Sequence, residues 1–166
     1  MIFPESLFQR SEALLEKART AGVVIATAES CTGGLISALL TEVPGSSDVF
    51  DRGFVTYSYE AKTELLDIPA NILQAHGAVS AEVAKRMAES TLLHSNADIA
   101  VSVTGVAGPG GIPHKPAGLV HFGLACRNYP TRLAVRRFGD RGRSNVRMAT
   151  VETALELLFE GIDLFS

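Results

Sequence analysis

The side chains best suited to nucleophilic chemistry lie in a turn of small residues, directly after one apolar segment and directly before another. Backbone N–H groups at the start of a helix are unpaired and carry partial positive charge, so such a turn could stabilise an anion or an oxyanion. A hydroxyl in the turn could then act as a nucleophile. We call residues 30–34 the serine turn; its members are Ser30, Cys31, Thr32, Gly33 and Gly34.

More than one role is open for the side chains of the serine turn. Ser30 or Thr32 could do no more than cap the following helix, because hydroxyl residues are preferred at that position. Cys31 is a competing nucleophile, since a helix N-terminus lowers the pKa of a thiol, but it could equally be a small buried residue. The turn matches neither GxSxG nor GxxxxGK[ST], so spacing alone does not decide between these roles.

A second turn, rich in glycine, follows another apolar segment. Residues 105–111, here called the glycine loop, read GVAGPGG and come after a β-branched run that ends at Thr104. So many glycines after a buried strand indicate close approach of the backbone to a ligand, although a plain flexible connection is the alternative. If the two preceding strands are parallel, both turns open at the same edge of the sheet, where α/β proteins bind ligands.

Other polar residues are less informative by spacing alone. Tyr57 and Lys62 follow a strand candidate, and each could be an ordinary surface side chain. The basic cluster extends from Arg136 to Arg143, with Arg147 beyond it, and is either a solvated strand end or a phosphate clamp. The four histidines and two cysteines share no metal-binding spacing, so we expect no metal site.

The elements that must position these residues alternate between strand and helix. Short β-branched runs predict strands buried on both faces, and periodic apolar residues predict amphipathic helices. We predict a single α/β domain over residues 1–166, a three-layer α/β/α sandwich with a mixed, mainly parallel sheet that ends in an antiparallel pair. The predicted helices cover residues 7–18, 35–43, 58–66, 80–96 and 144–160, with Gly22 as a stop and Ser80 and Ser144 as caps, and the predicted strands cover residues 23–28, 53–57, 98–104, 119–126 and 132–138.

The composition excludes several classes of protein. Of the 166 residues, 46% are hydrophobic and 20% are charged, which favours a folded core over disorder. The formal net charge of −3 provides no positive field for nonspecific binding to nucleic acid. No stretch approaches the length of an apolar membrane span, and the N-terminus lacks a signal-peptide pattern. Together with the sparing use of cysteine, this predicts a cytoplasmic protein without membrane association.

Several sequence strings resemble one known family in content and order. They include TAESCTGG at residues 27–34, RGFVTYS at residues 52–58, HGAVS at residues 76–80, the glycine loop, and FGDR at residues 138–141. Over nearly its whole length the chain is similar to the CinA C-terminal domain family, which includes bacterial nicotinamide mononucleotide deamidases. The resemblance implies hydrolysis of the carboxamide of that nucleotide to nicotinate mononucleotide and ammonia, without a metal or organic cofactor.

The resemblance also implies roles for individual residues. Ser30 matches the nucleophile of the family, Lys62 its base, and Tyr57 the tyrosine that completes the site. Thr104 and the glycine loop match a second wall of the pocket. The substrate-binding residues that it implies are Cys31, Thr32, Gly33, Gly34, Thr104, Gly105, Ala107, Gly108 and Arg141.

A lysine can serve as the base only if its pKa is lowered. The ordinary lysine pKa of about 10.4 leaves only about one molecule in a thousand neutral near pH 7.5. Lys62 must therefore be desolvated or lie beside another cation. The implied mechanism thus predicts that Lys62 is buried.

Two other functions stay open on the sequence. One is a non-catalytic binding or regulatory module associated with competence or DNA damage, and the other is an amidohydrolase for a different phosphorylated amide. The expected partners are a small nucleotide substrate and further copies of the chain, as a homodimer or a higher homo-oligomer.

Overall fold

A computed structural model describes residues 2–166. Strands and helices alternate along most of the chain, as predicted. Their bounds are α1 Glu5–Ala21, β1 Ile25–Glu29, α2 Leu35–Thr41, β2 Phe50–Val55, α3 Tyr59–Leu66, α4 Ala70–His76, α5 Ala81–Leu93, β3 Ile99–Gly105, β4 Leu119–Cys126, β5 Arg132–Arg137 and α6 Arg143–Asp163, with a short 3-10 turn at Ser46–Asp48.

The five strands form one mixed sheet in the order β2-β1-β3-β4-β5. The first three strands of that order are parallel, and β4 and β5 are antiparallel to their neighbours. Glu29, at the end of β1, lies opposite Val55 on one side and Val103 on the other. The serine turn and the glycine loop therefore open at the same edge of the sheet, which confirms the prediction made from two parallel strands.

Helices cover both faces of the sheet. The helices α1, α2 and α6 pack together on one face, and α5, with α3 and α4 beside it, covers the other. β1 and β3 are consequently buried along almost their whole length. This is the three-layer α/β/α arrangement that the apolar β-branched runs predict, because a strand covered on both faces has no need for alternating polar residues.

Two predicted helix ends are confirmed and one is wrong. Gly22 takes a φ of 68°, the left-handed conformation that ends α1. Ser80 Oγ accepts a hydrogen bond of 3.3 Å from the N–H of Val83 at the start of α5. Ser144 is not a cap, because the chain turns into α6 at a glycine and the helix begins one residue earlier, at Arg143.

Two further differences from the sequence expectation concern the region around α3. β2 spans Phe50–Val55 rather than residues 53–57. It is an edge strand with partly exposed residues, so its hydrophobic pattern marks its ends poorly. The helix α4 is absent from the predicted elements; it begins directly after Pro69 and has only seven residues, too few for a clear periodic pattern.

Two further observations concern membrane spans and metal sites. None of the helices within residues 2–166 combines the length and the apolar character needed to cross a membrane. The same residues hold no group of three or more His, Cys, Asp or Glu side chains placed to bind a metal ion.

Candidate active site

Ser30 lies directly after β1, at the edge of the sheet where the glycine loop also begins. Its backbone N–H donates a hydrogen bond of 3.0 Å to the carbonyl of Val103, so β3 holds the serine backbone in place. The side chain is nearly buried, at 8% exposure, but it lines a cleft of about 320 Å³. This hydroxyl is therefore shielded from bulk water yet reachable from the cleft.

Lys62 is fully buried next to Ser30 and does not line the cleft. Ser58 caps α3 by accepting a hydrogen bond of 3.0 Å from the N–H of Ala61, and this fixes the turn of helix that carries the lysine. The Nζ of Lys62 donates to Ser30 Oγ at 2.9 Å and to the backbone carbonyls of Thr56 and Tyr57 at 2.5 Å and 3.3 Å. Two residues that are 32 positions apart in sequence are thus in direct contact.

The surroundings of Lys62 lower its pKa. The side chain has 0% exposure, and this burial lowers the pKa to about 8 from an ordinary value of 10.5. A substantial fraction of the amine is then neutral near physiological pH. The predicted burial of Lys62 is confirmed.

Cys31 differs from the expectation for a helix N-terminus. Burial is the largest effect on its thiol and raises the pKa to about 12, and the charge of Glu29 acts in the same direction. The backbone N–H of Cys31 and the charges of Arg147 and Lys62 act to lower the pKa but do not outweigh the burial. Of the two roles open for Cys31, the structure supports the small buried residue over a nucleophile with a lowered pKa, and the thiol stays protonated at neutral pH.

The cleft lies between the serine turn and the glycine loop. Thr104 is buried at its base, where Oγ1 donates to the carbonyl of Ala78 at 2.7 Å. Gly105 has no room for a side chain, since a Cβ there would lie 2.6 Å from the side chain of Val120 in β4. The cleft is lined by Ser30, Cys31, Tyr57, Ala78, Val79, Thr104, Gly105, Val106, Ala107, Gly108, Pro109, Gly110, Gly111, Ile112 and Arg143.

Part of the predicted substrate-binding set does not line this cleft. Thr32 is fully buried and its hydroxyl donates to Glu29 at 2.7 Å, so it neither faces a ligand nor caps the helix in the usual way. Gly33 is exposed and Gly34 is half-buried, and neither of them lines the cleft. Arg141 lies outside the cleft, with its guanidinium 5.6 Å from the ring centre of Phe138.

Tyr57 and Arg143 meet at the mouth of the cleft. The guanidinium of Arg143 donates to the hydroxyl of Tyr57 at 3.0 Å and to the carbonyl of Gly108 at 2.8 Å. The tyrosine side chain is 61% exposed. The start of α6 thus places a cation between Tyr57 and the glycine loop.

The predicted basic cluster is divided between separate places. Arg147 donates through Nε to the carbonyl of Cys31 at 3.1 Å and through a second nitrogen to the carbonyl of Thr32 at 3.0 Å. Its guanidinium therefore braces the serine turn, while Arg136 and Arg137 are exposed on the edge strand β5. Only Arg143 of the cluster lines the cleft within the described residues.

Glu29 has no role predicted from the sequence, but the structure shows that it binds residues in and after the serine turn. Its carboxylate is fully buried and accepts hydrogen bonds from the first turn of α2. A signal for it was present, since a charged residue at the end of an otherwise apolar strand must find buried partners. The separate contacts of Arg143 and Arg147 could not be predicted in this way. The spacing of arginines along the sequence does not show which of them points toward the site.

Fold and cleft define the chain as an α/β protein in which a serine at the carboxyl end of a parallel strand is hydrogen-bonded to a buried lysine of the helix α3. Its sequence matches the CinA C-terminal domain over residues 8–162, which is most of its length. The chain belongs to the CinA C-terminal domain family.

Curated relatives support the same membership. A CinA-like protein from Akkermansia muciniphila is 50% identical over 136 residues, which make up 81% of this chain and 33% of that protein. A CinA-like protein from Citrifermentans bemidjiense is 46% identical over 163 residues, which make up 95% of this chain and 38% of that protein. The chain therefore spans about a third of the length of these relatives.

A solved structure agrees with the fold. The crystal structure of the competence/damage inducible protein CihA from Agrobacterium tumefaciens superposes with a TM-score of 0.93 at 45% identity. The match covers 96% of this chain and 98% of that one. The α/β prediction and the family resemblance are both confirmed.

Proposed function

We propose that this chain hydrolyses the carboxamide of nicotinamide mononucleotide to nicotinate mononucleotide and ammonia, with Ser30 as the nucleophile and Lys62 as its base. The observation that carries the proposal is the contact of 2.9 Å between Ser30 Oγ and the Nζ of a lysine with 0% exposure. A serine hydroxyl is a weak nucleophile unless a base accepts its proton, and a buried lysine with a lowered pKa is such a base.

The hydrogen-bond partners of Lys62 suit this role. An ammonium has three N–H groups and the structure offers it three acceptors, namely Ser30 Oγ and the carbonyls of Thr56 and Tyr57. A neutral amine has two N–H groups and one lone pair. The two carbonyls can accept both N–H groups, which leaves the lone pair directed at the serine hydroxyl. The carbonyls thus orient the neutral base as well as the charged one.

The reaction follows in two stages. Ser30 Oγ attacks the amide carbon, its proton passes to Nζ of Lys62, and the carbonyl oxygen becomes an oxyanion. We assign the N–H of Cys31 to that oxyanion, because Cys31 lines the cleft beside the nucleophile. The protonated Lys62 then gives its proton to the amide nitrogen, ammonia leaves, and an acyl ester of Ser30 remains. Water attacks the ester while Lys62 accepts its proton, the bond between the acyl carbon and Ser30 Oγ breaks, Lys62 returns the proton to Oγ, and the free acid is released.

The cleft also suits the substrate class. Its volume of about 320 Å³ lies at the lower end of the range for small-ligand sites, about 300–1,000 Å³. Arg143 supplies a cation at the mouth of the cleft, where a phosphate of the substrate could bind. The family resemblance adds the identity of the amide, because the family includes deamidases of this nucleotide.

The direct test is ammonia release from nicotinamide mononucleotide by the purified chain. Ser30→Ala and Lys62→Ala should each lower kcat by several powers of ten, since each removes one half of the nucleophile and base pair. Both variants should keep the far-UV circular dichroism of the wild type. Cys31→Ser should remain active, because the thiol is protonated and takes no part in the attack. Normal turnover by Ser30→Ala, or an inactive Cys31→Ser that folds correctly, would overturn the mechanism.

A further inference from the structure

Glu29 is the residue before the nucleophile, and its carboxylate has a full set of partners. The side chain has 0% exposure. One oxygen accepts from the hydroxyl of Thr32 at 2.7 Å and from the N–H of Ile36 at 2.8 Å. The other accepts from the N–H of Ser37 at 3.0 Å and from its hydroxyl at 2.8 Å. All four partners donate, which is the pattern of a carboxylate anion.

These hydrogen bonds connect the strand before the serine turn to the helix after it. Glu29 belongs to β1, whereas Ile36 and Ser37 belong to the first turn of α2. Between them, Gly33 and Gly34 take φ values of 59° and 102°, so the chain reverses through two residues with no side chain to restrict them. The glycines do not restrict the backbone conformation of the turn. The carboxylate does, because it binds the chain both before and after them.

Helix capping alone does not account for a buried carboxylate here. A neutral serine, threonine or asparagine caps a helix well, whereas burial of a charged carboxylate has a large desolvation penalty unless it is fully bonded. Glu29 also reaches Thr32, which lies inside the turn and outside the helix. Arg147 binds the carbonyl of the same Thr32. An anion and a cation therefore both hold the turn, at the hydroxyl and at the carbonyl of one residue.

We propose that Glu29 is a positioning residue that keeps Ser30 Oγ at hydrogen-bond distance from Lys62 Nζ; this inference rests on the proposed serine-lysine hydrolysis. Ser30 is covalently attached to Glu29 on one side and to the turn that Glu29 binds on the other. A displacement of about 1 Å between reacting groups can lower the rate about 100-fold. Loss of the carboxylate should thus slow the chemical step and leave substrate binding in the cleft unchanged.

The test compares Glu29→Gln with the wild type and with Leu39→Val. The glutamine keeps the shape of the side chain but replaces one acceptor oxygen with an NH₂ group that faces two donors. Leu39 is buried in α2, and its shortening weakens packing under that helix without removing a hydrogen bond of the serine turn. We expect Glu29→Gln to lower kcat for ammonia release by about 10- to 100-fold with KM within about twofold, and Leu39→Val to keep both constants near the wild-type values.

A second readout separates positioning from folding. A fluorophosphonate probe labels activated serines; the Ser30 oxygen forms a bond to phosphorus, fluoride leaves, and the serine proton passes to Lys62. We expect Glu29→Gln to be labelled slowly but to completion. A purely structural role would instead reduce the fraction of molecules that can be labelled, or the melting temperature, and leave the rate for folded molecules unchanged. That result, or an unchanged kcat, would overturn the inference.

The outcomes also distinguish this inference from the proposed function. If the wild type releases no ammonia from nicotinamide mononucleotide, the proposed substrate is wrong, and the labelling rates of wild type and Glu29→Gln then decide the role of Glu29. If the wild-type Ser30 is not labelled either, both proposals fail. Should Glu29→Gln not fold, Glu29→Asp replaces it, because aspartate keeps the charge but is one methylene too short to retain all four bonds. An Asp variant with wild-type labelling rate and kcat would overturn the inference.

Discussion

The burial of Lys62 determines its proposed reactivity as a base. Its side chain passes through the apolar interior and ends among three oxygen acceptors, so the charged form loses water but keeps its hydrogen bonds. Desolvation dominates and lowers the pKa to about 8. The neighbouring thiol of Cys31 undergoes the same desolvation, but for an acid this raises the pKa, to about 12. The same burial therefore increases the neutral fraction of the amine and keeps the thiol protonated.

The pKa of Lys62 predicts the pH dependence of the proposed reaction. The base must be neutral, so kcat/KM should rise about tenfold per pH unit below pH 8 and level off above it, in agreement with the lowered pKa of about 8. The measurement is initial ammonia release between about pH 6.5 and 9 at constant ionic strength. Any residual activity of Lys62→Ala should lack this rise. A wild-type profile that falls with increasing pH would show that the protonated lysine is the active form.

At the scale of elements, the N-terminal part of α6 contributes two arginines to the site. Arg143 and Arg147 lie four residues apart and therefore on the same side of the helix. Arg147 binds backbone carbonyls of the serine turn, and Arg143 reaches the mouth of the cleft. Arg141, which precedes the helix, is turned toward Phe138 instead. The first two turns of α6 thus carry both the arginine that binds the serine turn and the arginine that lines the cleft.

This arrangement predicts different effects for two arginines that are close in sequence. Arg143→Met should raise KM for nicotinamide mononucleotide by about 10-fold or more, because a charge-assisted hydrogen bond contributes about 1.5–3 kcal/mol. It should leave kcat/KM for free nicotinamide, which has no phosphate, nearly unchanged. Arg141→Met is the matched control and should change KM by less than about threefold, because this guanidinium contacts Phe138 outside the cleft. The opposite ranking would assign phosphate binding to Arg141, the arginine that the family resemblance indicates.

On the scale of the whole molecule, two glycines let the helical layers approach the sheet closely. A Cβ on Gly123 of β4 would lie 2.5 Å from the backbone carbonyl oxygen of Ala84 in α5. A Cβ on Gly161 of α6 would lie 3.1 Å from Ile99 in β3. The strands β3 and β4 are therefore packed tightly against the two helical layers, and the glycine loop begins at the end of β3.

Gly123→Ala tests this close packing. The added methyl group meets backbone atoms that cannot move without shifting α5, so we expect the free energy of unfolding to fall by about 1–3 kcal/mol. Urea unfolding followed by circular dichroism measures the change. Leu93→Ala provides the control, since this leucine is 83% exposed and its truncation should alter stability by less than about 0.5 kcal/mol. An unchanged midpoint for Gly123→Ala would mean that α5 can move away from the sheet at little cost.

Much of the architecture could be predicted from the sequence because it follows from local patterns. The apolar β-branched run before Ser30 required a strand covered on both faces, and the short turn after Cys126 required an antiparallel neighbour. Ser80 and Gly22 marked helix ends through their own backbone chemistry. Elements with weak patterns were misplaced or missed, namely the edge strand β2 and the short helix α4.

The sequence by itself determined the layered α/β fold, the family, and the residue types available for hydrolysis at two small-residue turns, because these depend on short-range order and on recognisable strings. Only the tertiary structure decided which groups act on one another. It brought Lys62 to 2.9 Å from Ser30, gave Glu29 its four donors, and separated Arg143 from the rest of its cluster. Distance and desolvation are properties of the packed chain. The lowered pKa of Lys62 and the raised pKa of Cys31 therefore exist only once both faces of the sheet are covered.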